Sequence, residues 1–197
     1  MHRQTLTAML RRYGERDDAS RAIADRFLAF VASREDCLLR SCEPGHITAS
    51  AWIWSADLRS CLLTHHRKLD RWLQLGGHVD GEGRVHLAAL REAQEESGMA
   101  TFELLAPGGE LAPLDLDVHA IPARKDEPEH LHWVVRFLLR CAPGQDLVLS
   151  EESKALRWVP RADLAGFVQE ESVLRLERTA ARWESAGGAR AIAACRL

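Results

Sequence analysis

Three glutamates on one face of a short amphipathic segment constrain this chain more than any other feature. Residues 91–98 read Arg-Glu-Ala-Gln-Glu-Glu-Ser-Gly. On an α-helix, positions i, i+3 and i+4 share a face, so Glu92, Glu95 and Glu96 fall within an arc of about 100°. Leu87, Leu90 and Gln94 point the other way. Like charges placed so repel by roughly 0.2–0.5 kcal/mol per i,i+4 pair. A cation between them removes that cost. Hard divalent cations take oxygen ligands and are commonly held by one or two carboxylates plus substrate phosphate oxygens.

Read from Gly76, the stretch GGHVDGEGRVHLAALREAQEESGM resembles the signature of the Nudix hydrolases. That signature runs Gly, five residues, Glu, seven residues, Arg-Glu, an apolar residue, any residue, Glu-Glu, any residue, Gly and an apolar residue. Gly77 opens it, Arg91-Glu92 follow at the right distance, Ala93 is apolar, Glu95-Glu96 match, and Gly98-Met99 close it. The first glutamate is missing: Gly83 stands there, with Glu82 just before it. Flanking Gly81 and Gly83 make a one-residue adjustment by Glu82 sterically easy.

The resemblance implies a metal-dependent hydrolase that cleaves a diphosphate linkage in a nucleoside diphosphate derivative. Nucleotide sugars such as ADP-ribose, dinucleotides and nucleoside triphosphates are the candidate substrates. It implies Mg²⁺ or Mn²⁺ as cofactor, with Glu92, Glu95 and Glu96 as ligands and Arg91 orienting them. Gly76, Gly77 and Gly98 are structural, as is Glu82 if it substitutes in the loop. The family has no single fixed general base. Glu151, Glu152, Glu127 and Glu129 are the loop candidates, of which Glu152 is preferred; the alternative for each is a solvated loop carboxylate. Two other readings stand beside hydrolysis. Gly83 is compatible with a non-catalytic nucleotide-binding or sensing domain. The family's isoprenoid diphosphate isomerase needs a catalytic cysteine that no cysteine here matches.

The remaining composition narrows the class. With 46% hydrophobic and 28% charged residues, the chain is ordinary for a soluble globular protein. Its 197 residues suffice for one domain and an appendage. A net charge of −3 gives no sign of a generic nucleic-acid binder. No apolar run reaches the roughly 20 residues that span a bilayer, and the N-terminus has no apolar signal region. Cys37, Cys42, Cys61, Cys141 and Cys195 form no CxxC pair. A reduced, buried set in a cytoplasmic protein is the expectation.

Residues 3–35 are expected to form a helical hairpin. Leu6, Met9, Leu10 and Tyr13 recur at helical spacing, Gly14 breaks the pattern, and Asp17 or Asp18 caps a second helix through Ile23, Phe27, Phe30 and Val31. This gives an N-terminal extension over 1–40 and a main domain over 41–197. The hairpin's apolar face would pack on that domain or on a second subunit, as in a homodimer. Strands are expected at 48–54, 61–66, 102–105, 116–121, 130–140 and 156–159. Residues 76–77 begin the signature loop, 87–97 form its helix, and Gly98 takes the left-handed C-terminal position. Helices follow at 160–167 and 173–183. The elements mix without βαβ alternation. With the signature, that indicates an α/β fold of the Nudix αβα type, a mixed sheet between helices.

Histidine is the second notable feature. His130 and His132 lie two apart and share a strand face. His78 lies in the signature stretch, with His65, His66 and His46 upstream. These rings either line the pocket, bind phosphate or bind a softer metal, or they are ordinary sheet and loop residues. They are not expected to be primary Mg²⁺ ligands. Arg67, ahead of the signature with Lys68 and Arg71, either meets an anionic substrate or belongs to a solvated hairpin turn. Gly77, His78, Arg67, His130 and His132 make up the expected substrate-binding set. Trp52, Trp54, Trp72 and Trp133 are either core residues or surfaces for stacking a base.

Overall fold

Alternation along two long strands organises the protein, for which a computed structural model describes residues 3–124, 127–186 and 188–192. Strand β1 (Gly45–Trp54) is buried at every position. It pairs in parallel with β7 (His130–Cys141), from Gly45 opposite Leu131 to Trp54 opposite Arg140. Successive side chains of a strand point to opposite faces. Ile47, Ala49, Ala51 and Ile53 therefore join Val135, Phe137 and Leu139 in one core. Trp52, Trp54 and Leu138 enter another on the opposite face. A strand buried on both sides reads as nearly continuous apolar sequence.

Neither long strand keeps one partner along its length. The opening half of β1 pairs with β4 (Leu75–His78), from Thr48 opposite His78 to Ala51 opposite Leu75. Its end pairs with β2 (Ser60–His66) at Ile53 and Trp54. Likewise β7 meets β6 (Asp115–Ile121) over its first half and β5 (Phe102–Pro107) over its second. Three further strands complete a nine-stranded mixed sheet: β3 (Arg71–Leu73) and β8 (Ser153–Pro160) on β2, and β9 (Ala189–Ala191) on β5. On the second face, His46 and His132, near the starts of β1 and β7, lie outside both apolar cores.

Helices α1 (Gln4–Gly14), α2 (Asp18–Ser33) and α3 (Val85–Ser97) cover the first face. The expected hairpin is present, and Asp17 caps α2 by accepting from the Ser20 amide at 2.7 Å. Such a cap contributes about 1 kcal/mol. Phe30 stacks on Trp133 at 4.4 Å between centroids and Phe27 meets its edge at 5.1 Å, so the hairpin shares its core with the sheet. After a 3₁₀ turn at Arg161–Asp163, α4 (Leu164–Phe167) and α5 (Glu171–Ser185) cover the second face. The arrangement is the αβα sandwich expected from the signature.

Several boundaries differ from expectation. Gly76 and Gly77 belong to strand β4, not to a loop. Side-chain-free residues let β4 lie close against β1; a Cβ on Gly76 would stand 2.5 Å from the Ala49 carbonyl oxygen. β1 begins three residues early and β8 is twice the expected length, because register with β7 and β2 extends them past their apolar stretches. The helix expected at 160–167 is a 3₁₀ turn followed by one helical turn. β9 was not anticipated; three residues carry no periodic signal. Among the described residues, no helix is long and apolar enough to cross a membrane. Cys37, Cys42, Cys61 and Cys141 are free and buried, and Cys195 lies outside the described residues.

One polar junction fixes α5 to the sheet. Glu177 accepts from the indole N–H groups of Trp52 and Trp54, both at 3.0 Å, and pairs with Arg161 at 2.6 Å. Removing that carboxylate strands two buried indole donors and takes one partner from Arg161, which keeps Glu184 and the Leu58 carbonyl. Glu177→Ala should therefore cost about 3 kcal/mol, measured as a reduced urea midpoint with an unchanged m-value. A loss below about 1 kcal/mol would show that α5 is held by its apolar face and by the Arg175 pairs with Asp115 and Asp117.

Candidate active site

The carboxylates lie where α3 crosses strand β4. Close approach is possible because Gly77 has no side chain: a Cβ there would stand 2.5 Å from Glu92 Oε2. One residue earlier, the Gly76 amide donates to Glu96 Oε1 at 3.0 Å. At the far end of α3, Gly98 adopts φ 72°, the left-handed cap expected of it. The glycines thus set the helix against the strand and bring Glu92 and Glu96 over its edge.

Arg91 binds the parts together. One guanidinium nitrogen lies 2.9 Å from Glu92 Oε1 and 3.1 Å from Glu95 Oε2, and the other donates to the His78 carbonyl at 2.7 Å. Glu95 is exposed, while Glu92 is half-buried and Glu96 buried. Burial pushes the Glu96 carboxyl up to about 8. The Gly76 amide offsets part of this, and the charges of Glu92, Glu152 and Glu95 add to it. Burial likewise pushes Glu92 up to about 7, although Arg91 opposes the shift. Two desolvated carboxylates with too little positive charge around them form a donor set suited to a hard divalent cation.

Glu152 arrives from the loop before β8, close enough for its charge to act on Glu92 and Glu96. Arg67 holds that loop. Its amide donates to the Glu152 carbonyl at 3.0 Å, and its guanidinium donates to the carbonyls of Glu151 and Ser153, both at 2.8 Å. Arg67, expected to meet the substrate, is thus occupied as a tie for the loop. Glu82 is also placed differently from expectation. It accepts from the Arg84 amide at 2.8 Å and pairs with the Arg84 side chain, so it braces the turn before α3 and does not engage Arg91. Gly83 is buried.

A cation absent from the sequence-based set is Arg40. It lies before β1 and pairs with Asp80 of the signature loop at 2.8 Å. The charges of Glu92 and Glu152 act on it. Nothing in its local sequence marks it; it reaches the site because the Gly81 amide donates to the Leu38 carbonyl at 2.9 Å.

The histidines separate into groups. His46, His78, His130 and His132 gather on one sheet face near the starts of β1 and β7, with His119 of β6 beside them. Burial, reinforced by neighbouring positive groups, lowers His132 to about 3 and His78 to about 4, so these rings are neutral at pH 7. His65 stacks instead on Trp72 at 4.9 Å, and His66 accepts from the Lys68 and Leu69 amides. Trp52, Trp54 and Trp133 are committed to packing. Glu127 bears on His46, not on the carboxylates.

With this geometry in view, the chain can be set beside known proteins. Residues 44–183 match the NUDIX domain family model. The chain belongs to that family, and it is an enzyme of the Nudix pyrophosphohydrolase class. Among solved structures, it is similar to a NUDIX-family hydrolase from Clostridium perfringens. The TM-score is 0.53 at 24% identity, covering 68% of this chain and 95% of the other. It is also similar to an Ap4A hydrolase from C. elegans, with TM-score 0.56 and 18% identity, covering 71% and 98%. A third similarity is to the Nudix hydrolase RenU from M. smegmatis, with TM-score 0.51 and 14% identity, covering 72% and 86%. At these identities the likenesses establish the fold. No curated protein sequence matches the chain.

The raised carboxyls give a signed pH dependence. Both Glu92 and Glu96 have folded values above the ordinary 4.5, so above pH 4.5 the unfolded chain binds fewer protons and stability falls. The buried histidines act oppositely, but their unfolded value of 6.5 confines that effect to lower pH. Between pH 6.5 and 8, cation-free protein should lose on the order of 2 kcal/mol. Glu96→Gln should remove most of this loss. Urea melts across that window check it; equal slopes for variant and wild type would exclude Glu96 as the source.

Proposed function

We propose that the protein is a divalent-cation-dependent hydrolase of a diphosphate linkage in a nucleoside diphosphate derivative. The observation that carries this reading is the pair of desolvated carboxylates, Glu92 and Glu96, held over β4 by the Gly76 amide and Arg91. Glu92, Glu95 and Glu96 would hold Mg²⁺ or Mn²⁺. When bound, such an ion neutralises diphosphate charge and makes water more acidic.

The side chains divide the remaining work. Arg91 fixes the orientations of Glu92 and Glu95 and, through the His78 carbonyl, the strand end beside them. Glu152 accepts the proton of the attacking water at its carboxylate, a role supported by its exposure and its proximity to the cluster. Arg67 positions Glu152 through the loop backbone. Arg40 supplies positive charge towards the substrate phosphates at the mouth. The leaving group lies beyond these contacts. The similarity to an Ap4A hydrolase and the family together support a nucleotide derivative, with dinucleotides, nucleoside triphosphates and nucleotide sugars as the panel to test.

Phosphate release from that panel with Mg²⁺ or Mn²⁺, with and without added phosphatase, tests the proposal. Activity should vanish with chelator and be lost in Glu95→Gln and Glu96→Gln. Wild-type-like turnover in both variants would sink it. Nucleotide-induced thermal stabilisation without turnover on any substrate would instead identify a sensing domain. Glu152→Gln should lower kcat by about 10²–10⁴-fold with little change in KM. A normal kcat in that variant would move the proton acceptor elsewhere.

A further inference from the structure

The histidine cluster is not used by the chemistry above, and its geometry asks for a ligand of its own. His46 is 3% exposed, and neither of its ring nitrogens makes a hydrogen bond of good geometry, the Cys42 carbonyl being the acceptor that bears on it. A neutral imidazole always carries one N–H, so this ring buries a poorly satisfied donor and an unsatisfied acceptor, each costly. Ligating nitrogens of His46, His130 and His132 all lie within 4.8 Å of one another. They come from adjacent strands in register, His46 directly opposite His132, with His130 two residues earlier on the same face.

The tautomer of His130 agrees with ligation. His130 Nδ1 lies 2.9 Å from the Pro128 carbonyl oxygen, which can only accept. Nδ1 therefore carries the proton and Nε2 presents its lone pair inwards. A backbone carbonyl holding the outer ring nitrogen is the usual support of a metal-bound histidine. His130 Nε2 and His132 Nε2 stand 3.3 Å apart, a ring–ring hydrogen bond that a shared ion would replace. Two nitrogens bound tetrahedrally at about 2.0–2.1 Å from one ion are separated by roughly 3.3–3.4 Å. His119 flanks the group, with its Nδ1 3.1 Å from Asp117, a carboxylate–histidine pairing of the same supporting type. Asp117 is itself fixed by Arg136 and Arg175.

We infer that His46, His130 and His132 form a second metal site, selective for a borderline transition ion of the zinc class. Neutral imidazoles suit such ions, whereas Mg²⁺ requires oxygen ligands. Three protein ligands leave a fourth position open. His78, whose ring centroid is 5.0 Å from that of His46, stands beside it. Its carbonyl is the one that Arg91 holds, so a single residue joins the histidine site to the carboxylate cluster. The inference does not rest on the hydrolase reading.

The test uses full-length, chelator-stripped protein and Co²⁺ alone as the probe. Equilibrium dialysis gives stoichiometry, and visible absorption distinguishes four-coordinate cobalt from the weakly absorbing six-coordinate ion. The histidine site should bind one Co²⁺ with a four-coordinate spectrum, displaced by Zn²⁺ and not by Mg²⁺. The spectrum should persist in the Glu92→Gln/Glu96→Gln double variant. In His130→Gln, affinity should fall by more than the 10–100-fold typical of losing an outer-sphere partner. His130 is half-buried, and circular dichroism reads whether that variant folds. If it does not, ring ¹⁵N shifts of the wild-type histidines on Zn²⁺ addition decide the matter. No four-coordinate spectrum, an unchanged affinity in folded His130→Gln, unshifted ring nitrogens, or a spectrum lost in the glutamate variant would overturn the proposal.

Discussion

The parallel pairing of β1 with β7 is the constraint from which the rest follows. It holds ten consecutive residues in register, and through strand alternation it decides what each face receives. One face takes the aliphatic residues that α1, α2 and α3 cover. The other takes Trp52 and Trp54, which fix α5 through Glu177. At its opening end it takes His46 and His132, where no helix follows. A slip by one residue would exchange the two faces completely. The aliphatic core would then meet α5's polar junction, and His132 would take the place of Trp133 under Phe27 and Phe30 of α2.

The carboxylate cluster is a local concession of stability. Glu92 and Glu96 sit where their charged forms are disfavoured, and the glycines of β4 allow that approach. A chain selected only for stability gains nothing from two desolvated acids facing a strand edge. Local violation of burial rules combined with precise support, here Arg91, the Gly76 amide and the Gly98 cap, is characteristic of functional sites.

Much of this was legible beforehand because it depends on short-range order. The helical hairpin was visible in the spacing of Leu6, Met9, Leu10 and Tyr13 and in the Asp17 cap. The acidic face of α3 and the left-handed Gly98 were visible in a run of eight residues. What escaped was non-local. Gly76 and Gly77 looked like a loop because glycine is a poor strand former; their pairing exists only because β1 is alongside. Arg67 looked like a free cation because its partners, the carbonyls of Glu151 and Ser153, are more than eighty residues away. His46 joins His132 through sheet register, which no local pattern encodes. Arg40 had no signal at all.

Arg40 also bears on what makes this chain individual. The family match begins at residue 44, yet the contacts of Arg40 with Asp80 and of Leu38 with Gly81 bring the preceding segment onto the signature loop. One wall of the site's entrance is therefore built from chain outside the span by which the family is recognised. The signature loop is thus braced by chain that lies ahead of the span by which the family is recognised.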